Sequence, residues 1–191
     1  MLQVPVLIEG ARLRLRRSTP ADAEATFAIA RDPEVMRYIE WPAPQHLADT
    51  QAFFDGCAAR WHTGAEYHWM IELKADGTVM GCVSCRIKGH AADFGYFLSR
   101  AHWGRGHATE AAGLLVGWLR RQESVVRIWA SSDADNSASA AVLRKLGLQQ
   151  EGLLRRATVR PNIGPSTGPK LNTMPRDTAL YASVKPAGNP S

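Results

Sequence analysis

The chain has 191 residues, 45 % of them apolar and 21 % charged, with a formal net charge of +5. That length fits one domain with a proper core, and that balance is globular rather than disordered or fibrous. The longest clean apolar run, residues 111–119, falls far short of the ~20 residues needed to cross a bilayer.

The basic residues near the N-terminus follow the apolar ones, the reverse of an export signal. A cytoplasmic protein with no membrane partner is therefore expected. A positive balance suits polyanionic partners such as nucleic acid, a ribosome or a phosphate-rich cofactor. Outside residues 12–17, however, no basic run exceeds two residues, so direct nucleic-acid binding is not expected.

In chain order, Leu13 and Leu15 alternate with Arg12, Arg14 and Arg16, the pattern of a half-buried strand. Thr19 as N-cap, Pro20 at the first helical position and Asp22 in the first turn predict a helix to about Arg31. Pro33 ends that helix or starts another. Residues 46–64 predict a further helix closed by Gly64. Residues 67–74 and 78–88 predict two strands joined by the Asp76-Gly77 turn. A third strand covers 92–99.

A glycine turn then leads into a helix over about 105–121, followed by a strand at 125–131 and a helix at 137–147 stopped by Gly147. Residues 148–159 and 178–184 predict the last strands. Between them, residues 160–175 are rich in Pro and Gly and read as a loop. The tail, 185–191, is expected to be disordered. The result is one α/β domain over 1–184, with a mixed, mostly antiparallel sheet of about seven strands.

The three cysteines do not make a disulfide framework. Cys82 and Cys85 have metal-ligand spacing, but three residues apart on a strand they point to opposite faces. No second Cys/His pair stands at ligand spacing, and no metal is expected.

The site signal is "HWGRGHATEA", residues 102–111. The first N–H groups of a helix have no internal partner, and the helix dipole adds about half a positive charge there. Glycine lets a backbone approach an anion because no Cβ intervenes. Gly104 and Gly106 supply that approach, Arg105 and His107 add charge or donors, and Thr109 adds a hydroxyl. Two ligands compete for such a turn. "GRGHAT" is near the dinucleotide fingerprint, with Asp133 after the next strand to take a ribose hydroxyl. Against that, Thr109 stands where the third glycine should be, and the motif lies mid-chain.

The stretch "FGYFLSRAHWGRGHATEA" followed by "NSASAAVLRKLGLQQEG" resembles the GNAT N-acetyltransferases, above all the branch that includes ribosomal-protein N-terminal acetyltransferases. Trp103-Gly104-Arg105-Gly106-His107-Ala108 matches that family's R/Q-x-x-G-x-G/A motif, with Trp103 in place of the usual Arg or Gln. The resemblance spans nearly the whole chain.

It implies acetyl-CoA as donor, with its pyrophosphate on the N–H groups of residues 104–109. Its pantetheine would run beside Phe97, Leu98 and Ser99. Asn136 matches an asparagine that contacts the pantetheine arm, and Lys145 or Arg144 would reach the adenosine 3′-phosphate. An amine attacks the thioester, an oxyanion forms, and CoA thiolate leaves. A backbone N–H at a splay in the strand, that of Leu98, would hold the oxyanion; removing such a donor typically costs ~10²–10³ in rate.

Many family members protonate the thiolate with a tyrosine, but the matching position here is Leu143. Ser139, one turn after Asn136, is the candidate acid in its place. Asp93 and Glu72 are candidate bases. About one lysine amine in 10³ is neutral at pH 7, against roughly a tenth of α-amines, so an α-amine acceptor asks less of a base.

The acceptor reads as a protein N-terminus or a small amine such as a polyamine, an aminoglycoside-like compound or an amino acid conjugate. The loop at 161–175 would shape the acceptor side, and Trp41, Trp61, Tyr67 and Trp69 would line it or fill the core. A homodimer is compatible with the sequence. A nicotinamide or flavin oxidoreductase and a non-catalytic ribosome- or nucleic-acid-binding protein are the competing readings.

Overall fold

The computed structural model describes residues 2–164 and 172–186. In chain order these form β1 (Leu7–Glu9), β2 (Leu13–Arg17), α1 (Ala23–Ala30), α2 (Pro33–Met36), α3 (Leu47–Thr63), β3 (Tyr67–Leu73), β4 (Val79–Lys88), β5 (Ala91–Leu98), α4 (His107–Arg120), β6 (Arg127–Asp133), α5 (Ser137–Lys145), β7 (Gln149–Val159) and β8 (Pro175–Val184). The strands make one open sheet in the order β1-β2-β3-β4-β5-β6-β8-β7. Every neighbouring pair is antiparallel except β5–β6. The eighth strand is β1, too short for alternation to mark it. It exists because Leu7, Ile8 and Glu9 pair with Arg16, Leu15 and Arg14 of β2.

The alternation in β2 reads directly as packing. Leu13 and Leu15 are fully buried, each contributing about 1.5–3 kcal/mol, while the arginines between them reach carboxylates on the opposite face. Ahead of α1, Pro20–Asp22 forms a separate 3-10 turn, so the helix starts a turn later than its signals suggest. The cap is made by Asp22, whose carboxylate accepts the Thr19 N–H at 2.7 Å and its hydroxyl at 3.1 Å. Gly64 ends α3 at φ +74°, the left-handed conformation that favours glycine.

Helices cover both faces of the sheet. On one, Ala111, Ala112, Leu115, Val116 and Leu119 of α4 join Leu13, Val83, Cys85 and Phe94. On the other, Phe54 and Cys57 of α3 join Met70, Cys82 and Phe97. Cys82 and Cys85 thus lie in different cores, as strand geometry requires, and all three cysteines are free thiols. Trp61, Tyr67, Trp69 and Trp118 form a chain of ring contacts with centroids 4.9–6.4 Å apart. These aromatics pack in or against the core, and of Trp41, Trp61, Tyr67 and Trp69 it is Trp41 that lines the cleft described below.

The feature that positions the site is the divergence of β5 from β6. Their parallel ladder holds only for Ala91↔Arg127, Ala92↔Ile128 and Asp93↔Trp129. Beyond it β5 stays on β4 as far as Gly81↔Leu98, and β6 stays on β8 as far as Asp133↔Thr178. The sheet therefore opens like a V. Gly81 lets β5 stay close on β4 at this point, because a Cβ there would meet Phe97 O at 2.2 Å and Leu98 Cα at 2.9 Å.

Among the described residues no helix is long and apolar enough to cross a membrane. Residues 165–171 of the Pro/Gly loop and 187–191 of the tail lie outside the described residues.

Candidate active site

The V opens into a cleft of about 740 Å³ between β5, β6, α4, α5 and the segment around residues 34–41. Its backbone is unpaired by geometry. Ser99 N–H donates to Met80 O at 2.7 Å, and Gly81↔Leu98 and Val83↔Tyr96 alternate with that pair. The amides and carbonyls of Phe97 and Ser99 therefore turn to β4, while those of Tyr96 and Leu98 turn to the opening. Phe97 still lines the cleft, but Ser99 does not, and its hydroxyl shares a proton with His102 Nδ1 at 3.0 Å. The Leu98 carbonyl is held by the Trp103 indole N–H at 2.7 Å, which leaves the Leu98 N–H directed into the V.

The glycine turn closes one end. Gly104 and Gly106 have φ of +73° and +76°, and Gly106 is the N-cap of α4. Glu110 N–H donates to Gly106 O at 3.0 Å, so the N–H groups ahead of it have no partner in the helix. Gly104, Gly106, His107, Ala108 and Thr109 line the cleft. Arg105 does not, and its carbonyl instead accepts from Arg12 at 3.1 Å.

His107 is buried, its Nδ1 finds no partner, and burial followed by the nearby Arg12 and His102 charges holds its pKa below the usual value. Unpaired first-turn amides and an orphaned imidazole nitrogen fit a phosphate group. A brace that motif reading missed fixes this turn. Glu110 accepts the Arg12 and Leu13 amides at 2.8 and 3.2 Å and Arg12 Nε at 2.7 Å. Burial pushes the Glu110 carboxyl up, but these bonds outweigh it and hold it ionised.

Across the V stands α5. Asn136 caps it, accepting the Ser139 N–H at 3.1 Å, so its side-chain oxygen is occupied by the helix. Ser139, Lys145 and buried Leu143 line the cleft. The Ser139 hydroxyl lies 3.3 Å from the Tyr96 hydroxyl, on the side chain of the residue whose backbone also faces the opening. Burial pushes the Tyr96 phenol up, against the lowering effect of Ser139. Tyr96 was missed because an aromatic on an apolar strand reads as core.

The two expected bases separate. Glu72 does not line the cleft. It is clamped by Arg14 and by Arg16 Nε, the latter at 2.5 Å. Burial pushes its carboxyl up, but bonds from Arg16 and Arg14 prevail and keep it below the usual range. Glu72 thus ties β2 to β3 and stands off the lining of the cleft. Asp93 does line it, bonded to Arg86 at 2.9 and 2.6 Å.

The other carboxylates on the lining are paired too: Glu34 with Arg37, Glu40 with Arg160, Glu66 with Arg60. Asp133, offered above as a ribose ligand, is buried, with its oxygens on Arg176 at 2.8 and 3.2 Å. Near the 34–41 segment of the lining, Asn162 ties down the chain after α2. It donates to Met36 O, Ile39 O and Trp41 O at 2.9, 3.3 and 2.8 Å and accepts Ala43 N–H at 2.8 Å. Among the described residues no group of acids, histidines or cysteines is placed to hold a metal.

A splayed mixed sheet with a glycine-turn helix start at the splay is an acetyltransferase architecture, and comparison bears that out. The family model described as "Acetyltransferase (GNAT) domain" matches residues 12–149, and the chain belongs to this family of acetyl-CoA-dependent N-acetyltransferases. It is 30 % identical over 183 residues to the uncharacterized N-acetyltransferase YoaA of Bacillus subtilis (strain 168), covering 94 % of this chain and 97 % of that one.

Among solved structures it is similar in fold to RimL, a ribosomal L7/L12 α-N-protein acetyltransferase in complex with coenzyme A. The TM-score is 0.79 at 21 % identity, over 93 % of this chain and 97 % of that chain. It is likewise similar to the microcin C7 self-immunity acetyltransferase MccE in complex with acetyl-CoA and AMP. There the TM-score is 0.78 at 20 % identity, over 92 % and 94 % of the two chains.

Proposed function

We propose that this enzyme acetylates an α-amine, with a protein N-terminus as first-choice acceptor. The observation that carries this reading is the state of the cleft's carboxylates. Glu34, Glu40, Glu66, Asp93 and Asp133 each hold an arginine, so every carboxylate on the lining already has a cationic partner. Roughly a tenth of α-amines are already neutral at pH 7, against about one lysine amine in 10³. A cleft whose carboxylates are all paired suits the amine that asks less of a base. The activities of RimL and of the ribosomal-protein-S5-alanine acetyltransferase of Vibrio fischeri, similar in fold at 20 % identity over 97 % of this chain, point the same way.

In this reading the CoA pyrophosphate sits on the 104–109 turn, and the pantetheine pairs with the open backbone of Tyr96. The Leu98 N–H takes the oxyanion, Ser139 donates to the leaving sulfur, and Asp93 relays the amine proton through water. The test is acetyl transfer to peptides with a free or a blocked N-terminus, each carrying one internal lysine. Product from the free peptide only is expected, and equal product from both would overturn the α-amine assignment. The second reading, a small-molecule amine, draws on Tyr38 and exposed Trp41, which both line the cleft and offer rings on which a flat ligand would stack.

A further inference from the structure

We infer that Tyr96 is a positioning residue for the departure of the CoA sulfur, acting through Ser139; this rests on the acetyl transfer proposed above. The starting observation is a pair of hydroxyls 3.3 Å apart on two elements that approach each other only across the V. Both residues line the cleft. Among the described residues Tyr96 hydroxyl has Ser139 as its hydrogen-bond partner, and Ser139 Oγ has Tyr96.

Each hydroxyl has a single proton to donate, so the pair has a direction. A serine hydroxyl is not among the side chains that titrate in water, whereas a phenol is, at about 10. The phenol is therefore the better donor, and it gives its proton to Ser139 Oγ. The Ser139 proton is then left to point into the cleft.

That direction resolves a difficulty in using serine alone as the acid. If Ser139 protonated the sulfur by itself, an alkoxide would remain in a partly desolvated site. With Tyr96 behind it, the charge passes to the phenol oxygen. The amine lone pair forms the C–N bond, and the C–S bond breaks with its electron pair on sulfur. Sulfur takes the Ser139 proton, Ser139 takes the Tyr96 proton, and the tyrosinate takes one from water. The proton shed by the attacking nitrogen goes to water, so the exchange balances. The phenol is held neutral beforehand, because burial pushes its pKa up. Before any transfer, the same chain polarises the Ser139 hydroxyl toward the developing thiolate.

The test uses binding and needs no acceptor. CoA and desulfo-CoA, in which hydrogen replaces the thiol, are titrated by calorimetry at pH 7 and pH 9 into four proteins. These are the wild type, Tyr96→Phe, Ser139→Ala and the double variant. A hydrogen bond to an ionised sulfur is worth tenfold or more in affinity, by the usual ~1.5–3 kcal/mol for bonds to charged groups. The wild type should therefore prefer CoA by about tenfold at pH 9, and by less at pH 7.

Ser139→Ala should bring the ratio to within about twofold. Tyr96→Phe should lower it at least threefold, with desulfo-CoA affinity held as a control for an intact pocket. The double variant should match Ser139→Ala, because Tyr96 acts through it. A wild-type ratio in Tyr96→Phe would overturn the inference, as would losses that multiply in the double variant. Ser139→Thr, which keeps the hydroxyl, should restore the preference, so the pair can also be tested from the helix side. Failure of the wild type to bind either ligand would instead sink the acetyltransferase reading itself.

Discussion

At the scale of single residues the clearest consequences are electrostatic. His68 is buried against the edges of Phe53 and Phe54 at centroid distances of 5.3 and 5.6 Å, and its Nδ1 has no partner. Burial, with the Arg60 charge, pushes its pKa down to about 4, against an ordinary 6.5. Because the folded value lies below the unfolded one, the stability it contributes is complete above pH 6.5. That contribution is lost as pH falls from there toward 4, to a total on the order of 3 kcal/mol. Denaturant titrations at pH 7 and pH 4.5 should show a steeper loss for the wild type than for His68→Leu; parallel losses would refute this.

Gly106 gives a second residue-level prediction. A Cβ there meets nothing closer than 3.6 Å, so Gly106→Ala is opposed by its φ of +76° and not by space, costing about 1–2 kcal/mol. The variant should melt lower and bind CoA more weakly, and an unchanged affinity would mean that the turn does not carry the phosphate.

Elements show how long-range partners hold the site. The start of α4 is tied to the start of β2 by Glu110, across 98 residues of sequence. Glu110→Ala leaves the part-buried Leu13 amide without its partner, at about 1–3 kcal/mol, while the exposed Arg12 groups turn to water. Chemical denaturation should reveal a loss in that range, and a CoA titration a weaker affinity as the turn loosens. Asn162 does the same for the segment after α2. Asn162→Ala should raise the acceptor KM several-fold and leave that for acetyl-CoA within about twofold. An equal rise in both would place this loop at the donor end instead.

This is also the scale at which the sequence was most and least informative. Alternation in 12–17, the Asp76-Gly77 turn and the glycine stops at Gly64 and Gly147 marked elements within a few residues, because those signals are local. The glycine turn was legible for the same reason, since phosphate binding needs only a backbone conformation and a helix start. The partners of Glu110, Glu72 and Asn162 were not, because each lies more than 50 residues away and no local pattern encodes it. Glu72 shows the cost, as its position on a neighbouring strand suggested a base until its two arginines were seen. Tyr96 was hidden differently. Its role depends on which edge of β5 is left unpaired, and that is a property of the sheet.

At the scale of the whole molecule, one sheet does two jobs. Pairing on the outer sides of β5 and β6 keeps the fold together, and the missing pairing between them opens the cleft proposed for the donor. The central claim is that this gap, with the glycine turn at its end, binds CoA. The direct test is a thermal melt with acetyl-CoA, CoA, NADH and NADPH in parallel. Ligand at 100 times its Kd adds about 2.7 kcal/mol, which is roughly 5–10 °C for a chain of this size. The account predicts that shift with acetyl-CoA and CoA and none with the nicotinamides. A melting temperature that moves with NADH or NADPH, and stays fixed with both CoA species, would contradict it.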